Sequence, residues 1–461
     1  MPLLGAFIVP HPPLIVPEVG RGREKDIYRT RAAYEEVARR IAALRPQTII
    51  IPTPHSILYA DYLHISPGSH AAGSLRDFGA GKINFCPDYD DELARRLAAI
   101  AEAKGIPAGL LGERQPELDH GVMVPLYFIN EQYRDYRLMR IGLSGLSPLS
   151  HYRFGKCIAQ AVEQSGRRVV LVASGDLSHK LRPDGPYGYA EQGPQFDQEV
   201  TEAMAAGDFL RFLTFREEFC EAAAECGLRS FIIMAGALDG RAVRSELLSY
   251  EGITGVGYAV AAFTPGEADE SRRFDLIFEQ QEDLRLQAIR GQEDPWVRLA
   301  RQALEYYLSH GNLLPRPKDL PDELTQEKAG VFVSLKLEGR LRGCIGTISP
   351  ATASVADEII QNAVSAATAD PRFERVDLAE LPRITLSVDV LGPAEPIDSP
   401  RQLDPKRYGV IVSCGGRRGL LLPHLEGVDT AEQQIDIALK KAGLGRRDQY
   451  KLERFEVVRH Y

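Results

Sequence analysis

In the stretch GRRVVLVASGDLSHK (166–180), the apolar run RVVLVA (168–173) gives way to small and polar residues that end in His179 and Lys180. The run is short and does not alternate apolar with polar positions. It therefore reads as a strand covered on both faces. Four other runs have the same character: LLGAFIV (3–9), QTIIIP (47–52), LMRIGL (138–143) and GVGYAVAAF (255–263). Amphipathic stretches at 24–44, 89–104, 150–165 and 194–213 lie between them. Strands alternating with helices predict an α/β architecture around a sheet buried on both sides.

The texture changes after Phe263. Residues 264–294 are charged, begin with Thr-Pro-Gly and carry no strand signal, so they read as a partly helical linker. Asp294 precedes Pro295, and a Pro at the first helical position behind an Asp N-cap predicts a helix over 295–310. Strand-like segments GVFVSLKLEG, ITLSVDVLG, YGVIVSC and GLLLP then mix with helical patterns at 353–369 and 431–442. This predicts a first domain over 1–263 and a smaller α+β domain over 295–461, in keeping with 461 residues being too many for one core.

A net charge of −9 and the absence of any Lys/Arg cluster argue against nucleic acid as a partner. No run of 18 apolar residues is present, so no membrane span is expected. The start, MPLLGAFIVPHPPLIVPE, has no basic leader and is broken by Pro10, Pro12 and Pro13; it reads as a strand and loop and not as a signal peptide. The cysteines (86, 157, 220, 226, 344 and 414) form no CxxC pair, which predicts free thiols in a reducing, cytoplasmic setting.

Of ten histidines, three stand just past the carboxyl end of a predicted strand: His11, His55 and His179. In an open α/β sheet that edge is where ligands bind. One strand-end histidine is usually a satisfied loop residue. Three of them, two in a Pro-His setting, point to a metal or catalytic site. Asp176, three residues before His179, is placed to hold an imidazole nitrogen and fix its tautomer; its plainer reading is a turn cap after Gly175.

The segments VPHPPL (9–14), TPHS (53–56), LDHGVMVPLYF (118–128) and ASGDLSHK (173–180) resemble the LigB-type class III extradiol dioxygenases, a superfamily that includes the Memo branch. The resemblance implies a metal, Fe(II) first and copper or zinc otherwise, held by His11, His55 and a third ligand. It implies His179 as the acid/base group and His120 as the residue approaching the substrate. For the third ligand, FCEAAAECGLRSFIIMAGAL (219–238) offers both Glu225 and Cys226. Glu225 ranks first, because a carboxylate completes the Fe(II) triad, whereas a thiolate favours zinc or copper(I). The implied activity is opening of a small catechol-like aromatic ring, with His179 first taking and then returning a proton. Two other readings stay open: hydrolysis by metal-activated water, and a non-enzymatic metal-binding protein that recruits a partner.

In the second half, LRGCIGT (341–347), AATADPRFERV (366–376), LPRITLSVDVLGP (381–393) and GLLLPHLEG (419–427) resemble the AMMECR family, which implies a fold and no reaction. Arg342 and Cys344 beside two glycines mark a second candidate site, with Asp370 and His424 as candidate partners for the thiol. The same motif reads equally as a tight turn with Cys344 in a core. The two domains in this order resemble the AmmeMemoRadiSam system protein A group. That implies association with a radical-SAM protein, and the family's habit of pairing implies a homo-oligomer.

Overall fold

The computed structural model describes residues 2–112, 117–425 and 427–461. The apolar runs become strands β1 (Leu3–Val9), β2 (Thr48–Thr53), β3 (Arg137–Gly142), β4 (Val169–Ser174) and, after β5 (Arg241–Glu251), β6 (Tyr258–Ala268). They form one six-stranded sheet in the order β3-β2-β4-β1-β6-β5. The first four are parallel, β6 is antiparallel to β1, and β5 to β6. Parallel neighbours need crossovers. Helices α1 (Tyr28–Leu44), α2 (Asp91–Ala103), α3 (His120–Gln132) and α4 (Pro148–Ser165) supply them.

The strands read as unbroken apolar runs because both faces are dry. Ala6, Ile8, Ile50, Leu171 and Ala173 enter one core, while Phe7, Val9, Ile49, Ile51, Val170 and Val172 enter the other. Each Val, Leu, Ile or Phe side chain among them contributes roughly 1.5–3 kcal/mol by leaving water. The charged exception is Arg140 in β3. Fully buried, it donates from Nε to Ser66 Oγ (2.8 Å) and from Nη1 to the Glu117 carbonyl (2.7 Å).

Three regions depart from the sequence reading. β5 gave no apolar run because it is an edge strand whose side chains are mostly half-buried. In the expected linker, Thr264–Ala268 continue β6, paired with β5 as far as Ala268 opposite Arg241. The predicted helix at 194–213 is two helices, α5 (Gln192–Ala206) and Phe209–Thr214, parted where Gly207 turns to φ 66°. Helix α6 (Leu228–Ala237) precedes β5, and helix α7 (Phe274–Gln292) follows β6.

By internal contacts the chain divides at 280/281 into two units, Met1–Gln280 and Gln281–Tyr461. The second contains α8 (Pro295–His310), β7 (Val331–Leu337), β8 (Arg340–Gly346), α9 (Val355–Thr368), β9 (Ile384–Leu391), β10 (Glu395–Ile397), β11 (Gly409–Cys414), β12 (Arg417–Leu421), α10 (Ala431–Lys441), β13 (Lys451–Phe455) and β14 (Val457–His460). Its strands make two antiparallel sheets, β8-β7-β9-β14 and β10-β13-β11-β12. Val331, Val333 and Leu335 share a core with α8 and α9; Val410, Val412 and Leu421 share another with α10. Of the GLLLPHLEG segment, Glu426 lies outside the described residues. Among the described residues of the whole chain, no helix is long and apolar enough to cross a membrane.

Asp294 caps α8 as its position before Pro295 predicts: Oδ1 accepts from the backbone N–H of Trp296 (3.0 Å) and Val297 (3.1 Å). Its Oδ2 meets His460 Nδ1. Trp296, the sole tryptophan of the chain, stacks on His460 with ring centroids 4.3 Å apart. Asp294→Ala should therefore destabilise the second unit by about 1 kcal/mol or somewhat more. The measurement is urea unfolding followed by Trp296 fluorescence, where an unchanged midpoint would refute the cap's contribution.

Candidate metal centre

β4 lies between β1 and β2, parallel to both, with Val9 opposite Ser174 and Ile50 opposite Leu171. The chain segments leaving these strands therefore start side by side. His11 and His55 each stand two residues beyond their strand, on either side of the β4 exit. Their Nε2 atoms are 2.9 Å apart. Cys226, from the turn before α6, brings its Sγ to 3.8 Å from His11 Nε2. Candidate ligand atoms of His11, His55 and Cys226 all lie within 4.8 Å of one another, the only such group among the described residues. His11 is buried, Cys226 half-buried and His55 exposed, so the group opens to solvent on the His55 side.

The turn is held against the β4 exit by two glycines. A Cβ on Gly175 would sit 2.1 Å from the Gly227 Cα, so only hydrogen fits at this backbone crossing. Asp176 and Cys226 flank it, and the Cys226 Sγ lies 3.7 Å from the Asp176 carbonyl oxygen.

Hydrogen bonds assign the imidazole tautomers. Ser174 Oγ donates to the Gly121 carbonyl (2.6 Å), which uses its one proton, so its 3.0 Å contact with His11 Nδ1 has the imidazole as donor. The His11 Nε2 lone pair then faces His55. His179 Nδ1 lies 2.7 Å from the Ala224 carbonyl, which can only accept, so its Nε2 is the proton-free nitrogen. Ala224 adopts φ 52°, uncommon for a residue with a Cβ, and caps the helix Glu217–Ala223.

His120 opens α3, and its ring centroid is 4.0 Å from that of His55 and 5.3 Å from that of His11. Burial pushes its pKa down to about 4, with His55 adding to the shift. His11 is held well below the usual imidazole value by burial, then by His55, His120 and His179. Burial also lowers His55, against an opposing pull from Asp119, and lowers His179 against its backbone acceptor. All four imidazoles are therefore neutral near pH 7, the form that ligates metal. Burial, then Asp176 and Glu225, pushes the Cys226 thiol well up, so the thiolate needs a cation beside it. Two neutral imidazoles and such a thiol fit a transition metal ion.

Three sequence readings change. The Glu225 carboxylate is not in the group: Oε2 accepts the Leu228 backbone N–H (2.7 Å) at the start of α6. Asp176 does not orient His179. Burial raises its pKa to about 7, against the His11 backbone N–H that donates to its Oδ1 (2.8 Å), and it fixes the His11 loop. In the second unit, Arg342 is taken up by Glu380 (2.7 and 2.9 Å) and by the carbonyls of Glu374 and Arg375, so it is not free to hold a ligand. Cys344 is half-buried, and Asp370 accepts its backbone N–H (2.9 Å). His424 has its backbone N–H on Pro405, and no contact between its ring and Cys344 is found among the described residues.

Sequence reasoning missed the supports. Thr53 Oγ1 donates to Asp119 Oδ1 (2.8 Å), and Arg140 Nη1 lies 3.7 Å from Asp119 Oδ2, which ties the His55 loop to the start of α3. Phe78 and Tyr187, both exposed, set their rings edge-on to His120 (5.5 Å) and His179 (5.0 Å). An arginine inside an apolar strand was the one available signal for the first; nothing in local sequence marks the two aromatics.

Residues 5–261 match the family model described as the catalytic LigB subunit of aromatic ring-opening dioxygenase, and 297–460 match AMMECR1. The chain is 43% identical to Protein CA_C1420 of Clostridium acetobutylicum, over 100% of this chain and 99% of that one. It is 48% identical to a Thermotoga maritima protein over 36% of this chain and 98% of that one. Among solved structures, uncharacterized protein PH0010 from Pyrococcus horikoshii is 37% identical, covering 36% of this chain and 88% of that one with a TM-score of 0.34. Uncharacterized protein JW3007 from Escherichia coli is 16% identical, covering 56% and 99%, with a TM-score of 0.39. The chain belongs to the LigB family, with an AMMECR1 domain joined behind it.

Ser174→Ala removes the acceptor that fixes the His11 tautomer and should weaken metal binding roughly 10–100-fold. Competition with a chromogenic chelator measures this; an affinity equal to wild type would mean that Ser174 does not orient a ligand.

Proposed function

We propose that the LigB domain of this two-domain chain is an iron(II)-dependent oxygenase that opens a catechol-like ring, with His11, His55 and Cys226 as its metal ligands. The observation that carries the reading is the pair of imidazoles left outside the ligand group. A site built only to store metal has no need of His120 and His179 beside its open side. Iron(II) held by His11, His55 and Cys226 would supply Lewis-acid and redox chemistry toward dioxygen and a catechol-like substrate.

The remaining work falls to the chain. With Nδ1–H fixed on the Ala224 carbonyl, His179 Nε2 is free to take the proton of a substrate hydroxyl and later to return it. His120 hydrogen-bonds the substrate from the α3 side. Phe78 and Tyr187 offer apolar surface at the entrance and help to exclude water. Asp176 keeps the His11 loop in place through its backbone N–H.

A second reading is favoured by one observation, the Cys226 thiol in place of a carboxylate. Soft donors select copper(I) or zinc. On this reading the domain binds metal and recruits a partner, such as a radical-SAM protein, without ring cleavage.

The test is metal analysis of anaerobically purified protein together with oxygen uptake on a panel of catechols. About one iron per chain is expected, lost in Cys226→Ala and kept in Glu225→Ala. His179→Gln should keep its iron and lose roughly 10²–10⁴-fold in turnover. Tightly held copper or zinc, with no oxygen uptake by the iron-reconstituted protein, would replace the oxygenase reading by the second one. Unchanged metal content in Cys226→Ala would remove Cys226 from the ligand set.

A further inference from the structure

The crevice that holds the four imidazoles has a charged rim that the ligand group does not explain. It is formed by the segment RGREKD (21–26) ahead of α1. Arg21 takes the left-handed conformation (φ 50°), uncommon for a residue with a Cβ, and Gly22 follows at φ 105°. Glu24 is buried, and its Oε2 accepts the Gly22 N–H at 2.7 Å, which fixes the turn and occupies that carboxylate. Arg21 and Arg23 are left exposed on the two sides of Gly22.

Each arginine adjoins one of the aromatics at the entrance. Arg21 Nη2 lies against the Phe78–Gly79 turn, 3.2 Å from where a Gly79 Cβ would stand, and the Phe78 ring meets His120. Arg23 lines a cavity of about 450 Å³ with Asp26, Arg182, Asp184, Ile253 and Thr254. The cavity wall is joined to the His179 loop. Leu181 donates to the Gly255 carbonyl (3.2 Å), Gly257 donates to the Ser178 carbonyl (2.8 Å), and a Cβ on Gly185 would sit 3.1 Å from the Gly255 Cα. Two residues past Gly185, the Tyr187 ring stands edge-on to His179. Residues 21–23 therefore link the His120 side of the mouth to the His179 side.

Charge along this rim is unevenly matched. Arg182 and Asp184 close on each other through two hydrogen bonds (2.9 and 2.8 Å). Arg23 and Asp26 approach only to 4.0 Å, with side chains 71% and 55% exposed, so solvent screens that pair. Arg21 makes no side-chain hydrogen bond or ion pair among the described residues. Among those residues, one guanidinium is thus unmatched and a second is weakly held, in a chain of net charge −9. We propose that Arg21 and Arg23 read an oxyanion, so that this centre takes an aromatic molecule whose side chain ends in a carboxylate or phosphate. The ring lies between Phe78 and Tyr187, and the side chain enters the cavity, where Arg23 exchanges Asp26 for the oxyanion. Arg21 adds its field from the Phe78 side. The ring's identity rests on the oxygenase reading, and the charge preference on the rim alone.

3-Phenylpropionate, 2-phenylethyl phosphate and the neutral 3-phenylpropionamide share a ring and a short side chain and differ in charge. Ligand-observed NMR titration of the full-length protein gives the three affinities, with metal and after its removal by a chelator. The better-bound acid should exceed the amide by about fivefold, the factor a unit charge at about 4 Å supplies in water, and its identity tells carboxylate from phosphate. The excess should shrink as salt is raised. Arg21→Gln combined with Arg23→Gln should abolish it and Arg23→Lys should keep it, each with the circular dichroism of wild type. Equal affinity for acids and amide, an excess that survives the double variant, or no saturable binding of any probe would overturn the proposal. So would an excess lost with the metal, which would put the oxyanion on the metal ion instead. An absence of oxygen uptake on catechols strikes the ring-opening reading and leaves these outcomes unchanged.

Discussion

The parallel pairing of β4 with β1 on one side and β2 on the other is the constraint on which the first site depends. Parallel strands end on the same edge of a sheet, so the three exits are neighbours before any side chain is chosen. Two residues past β1 and two past β2 bring His11 and His55 to an Nε2 separation of 2.9 Å. Sliding one strand by a residue would exchange its two core faces and move the exit by about 3.3 Å. The dry cores on both sides forbid that slip. The same burial that fixes the fold thus fixes which strand exits are neighbours, and Ser174, Asp176 and Thr53 then hold the two imidazole loops in place.

The local electrostatics follow from the same burial. Burial lowers the pKa of all four imidazoles, and His55, His120 and His179 further disfavour charge on His11. The 3.9 Å approach of His11 Nε2 to Asp176 Oδ2 is consequently not an ion pair at neutral pH. The crevice also keeps Asp176 and the Cys226 thiol toward their protonated forms. Such a cluster has lone pairs to offer and little charge of its own, so a cation is the partner that relieves it. Its binding would release a proton, from the thiol before any other group.

Legibility in the sequence followed from how much of each feature is local. The runs at 3–9, 47–52 and 168–173 became β1, β2 and β4 because a strand buried on two faces must be apolar along its length. The positions of His11, His55 and His179 past those strands were readable for the same reason. β5 was not readable, since an edge strand half in water, RAVRSELLSYE, has no pattern distinct from a loop. The supports were hidden as well: the glycine crossing at 175 and 227, the Ser174 hydroxyl between Gly121 and His11, and the Arg140–Asp119 contact each join residues distant in sequence. Arg342 was misread because its guanidinium looks available until Glu380 is brought to it by the turn after α9.

The choice between Glu225 and Cys226 shows why adjacent residues of an irregular turn cannot be ranked by composition. A helix start leaves backbone N–H groups without acceptors, and a carboxylate is the best acceptor within reach. α6 begins at Leu228, so Glu225 is three residues back, the spacing at which a side chain can accept from that N–H. Once the carboxylate is turned to the helix, the next side chain faces the opposite way, toward His11. Gly227 then has to pass Gly175 at backbone contact, which seats Cys226 and leaves no room to exchange the two roles. Glu225 and Cys226 are therefore one unit: the acid anchors the turn that presents the thiol. A carboxylate substituted at 226 would enter the imidazole group without releasing Glu225 from α6.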